Sequence, residues 1–112
     1  MKQVRLNAYH IMWVFVFFDL PVVKKNQRRR ATYFRKGLEK NGFNMMQYSV
    51  YTRHCASRES AEVHVGRIKA MVPGDGHVTV LQITDKQYGN IINFWGAKTK
   101  RLPSGPQQLE FF

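Results

Sequence analysis

The sequence has few cysteines, few acids and no long apolar run. Cys55 is the only cysteine among the 112 residues, so no disulfide can form within the chain and a lone thiol makes no zinc site. The apolar run of residues 11–18 is far shorter than the roughly 20 residues that a membrane-spanning helix needs. No small-residue cleavage site follows it, and its β-branched and aromatic side chains favour a strand over a signal helix. We therefore predict a cytoplasmic protein with no membrane partner.

The charge of the chain is strongly one-sided. Eighteen Lys and Arg residues stand against seven Asp and Glu residues, which gives a net charge of +11 at pH 7 and a pI near 10.2. Such a chain is expected to bind a polyanion, with nucleic acid as the first candidate and an anionic membrane surface as the second. Because 44% of the residues are hydrophobic, the chain can bury a core, and its length suits one domain.

The periodic segments predict a fold with the element order βαββαβ. The continuous apolar run of residues 11–18 indicates a central strand, and residues 24–41 have the period of an amphipathic helix that ends at Asn41-Gly42. Residues 43–55 then indicate a hairpin or one long bent strand, with the bend at 47–49. A second helix from a Ser57 cap and a strand over 77–84 complete the pattern. This order predicts an α+β, ferredoxin-like sandwich: a four-stranded antiparallel sheet with two helices on one face.

The ends of the chain differ from its middle in composition. Residues 1–10 form a polar lead-in, and both Met1 and Met12 are candidates for the start. Residues 11–96 form the ferredoxin-like domain, whereas residues 97–112 are basic, contain Pro and Gly, and predict a flexible tail. Because the first strand is apolar on both faces, we expect a second copy of the chain to cover the face without helices, giving a homodimer.

One acid, Asp19, directly follows the most apolar strand and precedes a basic block with eight Lys or Arg residues between Lys24 and Lys40. A carboxylate there can bind Mg²⁺, which takes hard oxygen ligands together with water and phosphate. One carboxylate per chain is few, so the metal hypothesis needs two Asp19 side chains that share the ion across a dimer axis. The alternative, equally open from the residues alone, is that Asp19 caps a loop or pairs with the adjacent arginines.

The basic block predicts a phosphate-binding surface. Glu39 is the only acid within this helix, so salt bridges along the helix cannot account for the positive charge, and like charges this dense repel each other unless an anion binds. A solvated helix face is the alternative. Tyr48 and Ser49 are candidates for supporting hydroxyls, although strand residues more often fill core and rim. The four His residues match no metal spacing, and we rank a general-base role for any of them below a plain surface or core role. The predicted nucleic-acid ligands are Lys24, Lys25, Arg28, Arg29, Arg30, Arg35 and Lys36.

Several motifs in order resemble the Cas-two family of CRISPR-associated proteins, in the variant that accompanies type II systems. The likeness runs from about residue 12 to residue 96. The motifs are Phe17-Phe18-Asp19-Leu20-Pro21, Arg28-Arg29-Arg30, Phe34-Arg35-Lys36, Gly42-Phe43, Met46-Gln47-Tyr48-Ser49-Val50-Tyr51 and Thr84-Asp85-Lys86-Gln87-Tyr88.

The resemblance implies a ferredoxin-like homodimer that acts in spacer acquisition. Such a dimer bridges Cas-one integrase dimers and holds double-stranded prespacer DNA by its backbone. The resemblance also implies a Mg²⁺-dependent endonuclease acting on RNA or DNA, with Asp19 as metal ligand and catalytic residue. It places a C-terminal strand over residues 91–95 that is exchanged or paired across the homodimer, and a variable tail that contacts the integrase. The implied dimer and partner residues are Ile91, Ile92, Phe94, Trp95, Phe111 and Phe112.

Three functions compete at this point. The first is a non-catalytic DNA-binding adaptor, and the second is a Mg²⁺-dependent phosphodiesterase that depends on dimer geometry. The third is a stand-alone RNA-binding module or metal-dependent endoribonuclease, because one fold can carry unrelated functions. We rank the adaptor first.

Overall fold

The computed structural model describes residues 10–101, with side chains as far as residue 97. The elements in chain order are β1 (Met12–Asp19), α1 (Lys25–Lys40), β2 (Asn44–Gln47), β3 (Val50–Cys55), α2 (Arg58–Met71), β4 (His77–Thr84), α3 (Asp85–Tyr88), β5 (Ile92–Trp95) and β6 (Lys98–Arg101).

Strand β1 lies inside the main sheet, as its continuous apolar sequence predicts. The strand order is β2-β3-β1-β4, and every neighbouring pair is antiparallel. The hairpin between β2 and β3 turns at Tyr48 and Ser49, where Ser49 has a φ of +66°. These features confirm the predicted ferredoxin-like fold. None of the helices between residues 10 and 101 is long and apolar enough to cross a bilayer.

The even-numbered residues of β1 point toward α1 and α2, and we call this side of the sheet the helix face. Alternate strand residues point to opposite faces, so one set of β1 side chains enters the core while the other set faces away. The helix α2 begins at its predicted cap, because the backbone N–H of Ser60 donates to Oγ of Ser57 at 3.0 Å. The core on the helix face contains Met12, Val14, Val16, Phe18, Phe34, Leu38, Phe43, Tyr51, Cys55, Ala61 and Ile68.

The opposite side of the sheet, the open face, is partly covered by the chain itself. The ring of Tyr88 in α3 stacks on Trp13 with 3.7 Å between centroids, and the indole N–H of Trp13 donates to Oδ1 of Asp85 at 2.7 Å. The second copy expected on this face stays a prediction, but at the end near Met12 the chain's own helix α3 already covers the sheet. Toward Asp19 the face stays uncovered within the described residues: Phe17 is 37% exposed, and Leu81, opposite Phe15 in the middle of β4, is 45% exposed.

The C-terminal region contains a strand that the sequence prediction placed in a flexible tail. Residues 98–101 form β6, which pairs with β5 of the same chain in a two-stranded sheet of its own. The Gly96 residue between them has a φ of +66°, a conformation that glycine adopts readily in hairpin turns. The predicted tail therefore begins as a strand, because backbone pairing does not require apolar side chains. Residues 1–9 and 102–112, with Phe111 and Phe112, lie outside the described part.

Candidate nucleic-acid interface and acidic site

Two of the three consecutive arginines are held by the protein itself. The guanidinium of Arg28 donates to the carbonyl oxygens of Val23 and Val22 at 2.7 and 3.2 Å, across the loop between β1 and α1. Arg30 forms an ion pair with Asp75 at 3.0 Å. Both contacts link α1 to neighbouring loops, so part of each guanidinium is already bonded within the protein.

Arg35 has a local partner, whereas Lys24 caps α1 only through its backbone and keeps its side chain exposed. The guanidinium carbon of Arg35 lies 5.9 Å from the ring centre of Tyr48, within the range of a cation–π contact. The backbone N–H of Lys24 donates to Oε1 of Gln27 at 2.9 Å and so helps to cap α1. Tyr48, predicted as a supporting hydroxyl, therefore lies beside Arg35 and does not line the depression that contains Asp19.

The outer side of α1 carries four exposed cations, which we call the cationic stripe: Lys25, Arg29, Lys36 and Lys40. Their spacing of four, seven and four residues keeps them on one side of a helix with 3.6 residues per turn, over about 22 Å. Within residues 10–97, no hydrogen bond or ion pair joins any of the four to another side chain. Charge of one sign that no protein group neutralises favours a polyanion as ligand. Lys40 is an addition to the predicted set.

Asp19 lies on the open face at the end of β1, two residues after Phe17. It borders a shallow depression of about 240 Å³ whose lining also includes Ser49, His77 and Thr79. Within the described residues, its carboxylate neither caps a loop nor pairs with an arginine, so neither structural alternative is found. Ser49, predicted as a supporting residue, does lie beside Asp19.

The metal hypothesis meets a limited donor set in one chain. Asp19 supplies a hard carboxylate oxygen, and the hydroxyls of Ser49 and Thr79 lie around the same depression. No group of three or more His, Cys, Asp or Glu side chains that could hold an ion occurs among the described residues. Mg²⁺ is often bound by only one or two carboxylates with water and phosphate, so Asp19 fits it only as part of a larger site. A second chain on the open face would supply another carboxylate.

Other titratable groups lie away from Asp19. Burial, together with the nearby Arg53 and Arg67, lowers the pKa of His64, which lies in contact with Phe43. Burial also lowers the pKa of His54, which packs edge-on against Trp13 with 5.2 Å between centroids.

The lowered pKa values favour the neutral forms of His54 and His64, and both rings pack against aromatic side chains. The lone thiol is equally inert, because burial raises the pKa of Cys55. Of His54, His64 and His77, only His77 lines the depression that contains Asp19.

The turn before β4 fixes the backbone at Asp19. Gly76 has a φ of +91°, and a Cβ atom there would lie 2.7 Å from Cδ2 of Leu20 and 2.9 Å from the carbonyl oxygen of Asp19. We expect Gly76→Ala to lower the free energy of unfolding by about 2 to 4 kcal/mol, measured by urea denaturation. The matched control is Gly74→Ala, since nothing lies within 4 Å of its added methyl group; we expect a change below about 0.5 kcal/mol. Equal losses in the two variants would contradict this account.

The predicted dimer residues lie on the β5–β6 hairpin and beside it. Ile92 and Phe94 are exposed, and Ile91 packs against the open-face cluster of Trp13 and Tyr88. Trp95 is half-exposed. Pairing of β5 across a dimer stays a prediction, because one edge of β5 already binds β6.

The sheet order, the two helices on one face and the one-turn helix α3 define the class of the chain as a ferredoxin-like α+β domain. The chain of a crystal structure titled as that of cas2 has the same fold. It superposes with a TM-score of 0.51 at 23% identity, and the match covers 88% of this chain and 98% of that one.

Comparisons of sequence then identify the family. The model of the family described as CRISPR associated protein Cas2 matches residues 12–91. The chain is 49% identical over 108 residues to a CRISPR-associated endoribonuclease Cas2 of Flavobacterium psychrophilum, with 96% of this chain and 94% of the relative covered. It is 50% identical over 101 residues to the protein of the same name from Parvibaculum lavamentivorans, with 90% of this chain and 100% of the relative covered. The chain therefore belongs to the Cas2 family.

Proposed function

We propose that the protein is a homodimeric adaptor of CRISPR spacer acquisition that bridges Cas-one integrase dimers and holds prespacer DNA by its phosphates. The observation that carries this proposal is the cationic stripe on α1. Four cations in line, without protein partners among the described residues, suit the regular charge of a nucleic-acid backbone. Cations in line contact phosphates and carry no information about the bases, so the interface favours binding that is independent of sequence.

The homodimer rests on a separate observation. The open face leaves Phe17 and Leu81 exposed, and β4 is one of the two edge strands of the main sheet. Exposed apolar side chains beside an unpaired strand edge favour association with another chain. Two copies of the cationic stripe would then extend the interface along a duplex.

A second candidate function is an endoribonuclease that uses Asp19. Two features favour it: Asp19 is exposed in a depression together with hydroxyl and imidazole side chains, and the relatives carry the name endoribonuclease. A bound divalent ion would supply Lewis acidity toward a phosphate. In that site Asp19 would hold the ion, and Ser49 and Thr79 would contact the ligand through their hydroxyl groups.

One experiment separates the two functions. Spacer integration is reconstituted with the cognate Cas-one integrase, and cleavage of single-stranded RNA is measured on the same protein preparations. We expect Asp19→Asn to integrate at the rate of the parent protein and to lose RNA cleavage. Loss of integration by Asp19→Asn, with the complex of integrase and DNA still formed, would overturn the adaptor proposal. Unchanged RNA cleavage would overturn the endoribonuclease proposal.

A further inference from the structure

His77 is the nearest strand partner of Asp19, although the two residues lie 58 positions apart in the sequence. The antiparallel register of β1 and β4 places them directly opposite each other. Side chains of directly opposite residues share one face of a sheet, with Cβ atoms about 4.5 to 5.5 Å apart. Both side chains also line the same depression, so its donors include a carboxylate and an imidazole.

The hydroxyl group of Thr79 lies beside the imidazole ring of His77. Its Oγ1 lies 3.4 Å from Nε2 of His77, on the same strand and the same face. When Nε2–H donates to this hydroxyl, the lone pair of the ring lies on Nδ1, which can then bind an ion. Metal-binding histidines commonly have their second nitrogen held in this way, because the contact fixes both the tautomer and the ring orientation.

An imidazole ligand changes which ion the site prefers. Mg²⁺ selects oxygen ligands, whereas imidazole suits first-row transition metals such as cobalt, nickel and zinc. We propose that Asp19 and His77, joined by the same two residues of a second copy, form a site for a transition-metal ion in preference to Mg²⁺. This inference rests on the proposed homodimer and on the proposed metal role of Asp19.

The second copy is needed because one chain supplies too few ligands. Asp19 and His77 are two donors, and no third His, Cys, Asp or Glu joins them among the described residues. Two copies that meet on the open face near Phe17 would provide two carboxylates and two imidazoles. Four protein ligands of this kind are a common set for transition-metal ions.

The test measures metal binding directly. Isothermal titration calorimetry of the full chain, without an affinity tag, uses Co²⁺ and Mg²⁺ as separate probes. We expect Co²⁺ to bind at least about 100-fold more tightly than Mg²⁺. His77→Asn should weaken Co²⁺ binding at least about tenfold and leave Mg²⁺ binding unchanged. His10→Asn is the matched control, since His10 lies about 30 Å away beyond the other end of β1, and it should change neither affinity.

Asp19→Asn separates this inference from the function on which it rests. If Asp19→Asn weakens binding of both ions while His77→Asn changes neither, the role of His77 is overturned and the metal role of Asp19 stands. If neither variant changes either affinity, both metal roles fall. The DNA adaptor is judged independently of these outcomes by the salt dependence of DNA binding.

Discussion

Neutralising the cationic stripe is expected to remove most of the salt-dependent affinity for duplex DNA. The variant carries Gln at positions 25, 29, 36 and 40. Each neutralised phosphate contributes about 0.9 to the log-log salt slope, so four contacts per chain give a dimer a slope of about −7. We expect the variant to have a slope no steeper than about −2 and an affinity at least about 1000-fold lower at low salt. Fluorescence anisotropy of a labelled duplex between about 50 and 200 mM salt measures both quantities.

A matched double variant tests whether the stripe or the arginine triplet forms the interface. Arg28→Gln with Arg30→Gln removes as many charges per chain as half of the stripe, but both side chains have protein partners. We expect it to change the salt slope by less than about 1 and to lower the free energy of unfolding by about 1 to 2 kcal/mol. If this control lost DNA binding as fully as the stripe variant, the stripe would not be the interface. A near-zero slope for the parent protein would contradict DNA binding altogether.

The basic helix shows how far sequence order predicts a surface. The period of apolar residues correctly places Ala31, Phe34 and Leu38 in the core and so fixes which side of α1 faces solvent. Adjacent arginines, however, point about 100° apart on a helix. The triplet therefore spreads over three directions: all three side chains are exposed, but only Arg29 lies in line with the cationic stripe. Helical spacing counted from Lys25 would have found Lys40, whereas the partners of Arg28 and Arg30 come from folded loops.

The elements that sequence reasoning missed are short or polar. Helix α3 spans one turn, which is too short to show a hydrophobic period. It did carry a local signal: Thr84 and Gln87 form a capping box, with Thr84 N–H donating to Gln87 Oε1 at 2.9 Å and Gln87 N–H donating to Thr84 Oγ1 at 3.1 Å. Strand β6 is basic and lacks alternation, so only its pairing with β5 reveals it.

The site around Asp19 was also predictable only in part. Asp19 was predictable, because a lone acid at the end of an apolar strand is visible in the sequence and alternation with Phe17 assigns its face. The proximity of His77 was not predictable, because it depends on the register between β1 and β4. A shift of that register by one residue would turn every side chain of β4 to the opposite face. Residues far apart in the chain thus come together through pairing that no local pattern contains.

Placing lysine on the exposed apolar surface is expected to convert a dimer into a monomer. The variant combines Leu81→Lys on the open face with Phe94→Lys on β5, where the parent side chains are 45% and 66% exposed. A second copy would bury four such side chains per dimer. At about 1.5 kcal/mol each, their loss costs about 6 kcal/mol, or roughly four orders of magnitude in the dissociation constant. Light scattering coupled to size exclusion at micromolar concentration reports the mass of the parent and of the variant.

Val63→Lys is the matched control, because Val63 is 53% exposed on α2, away from the open face and the hairpin. We expect the control to stay dimeric, and we expect both variants to unfold within about 0.5 kcal/mol per substitution of the parent. A monomer formed by the double variant should also lose any function that needs two Asp19 side chains. Each chain keeps its cationic stripe, so we expect it to bind DNA with half the salt slope of the dimer. A double variant that stays dimeric would place the dimer interface elsewhere. A parent that is monomeric would contradict the homodimer and would leave Asp19 with the single carboxylate of one chain.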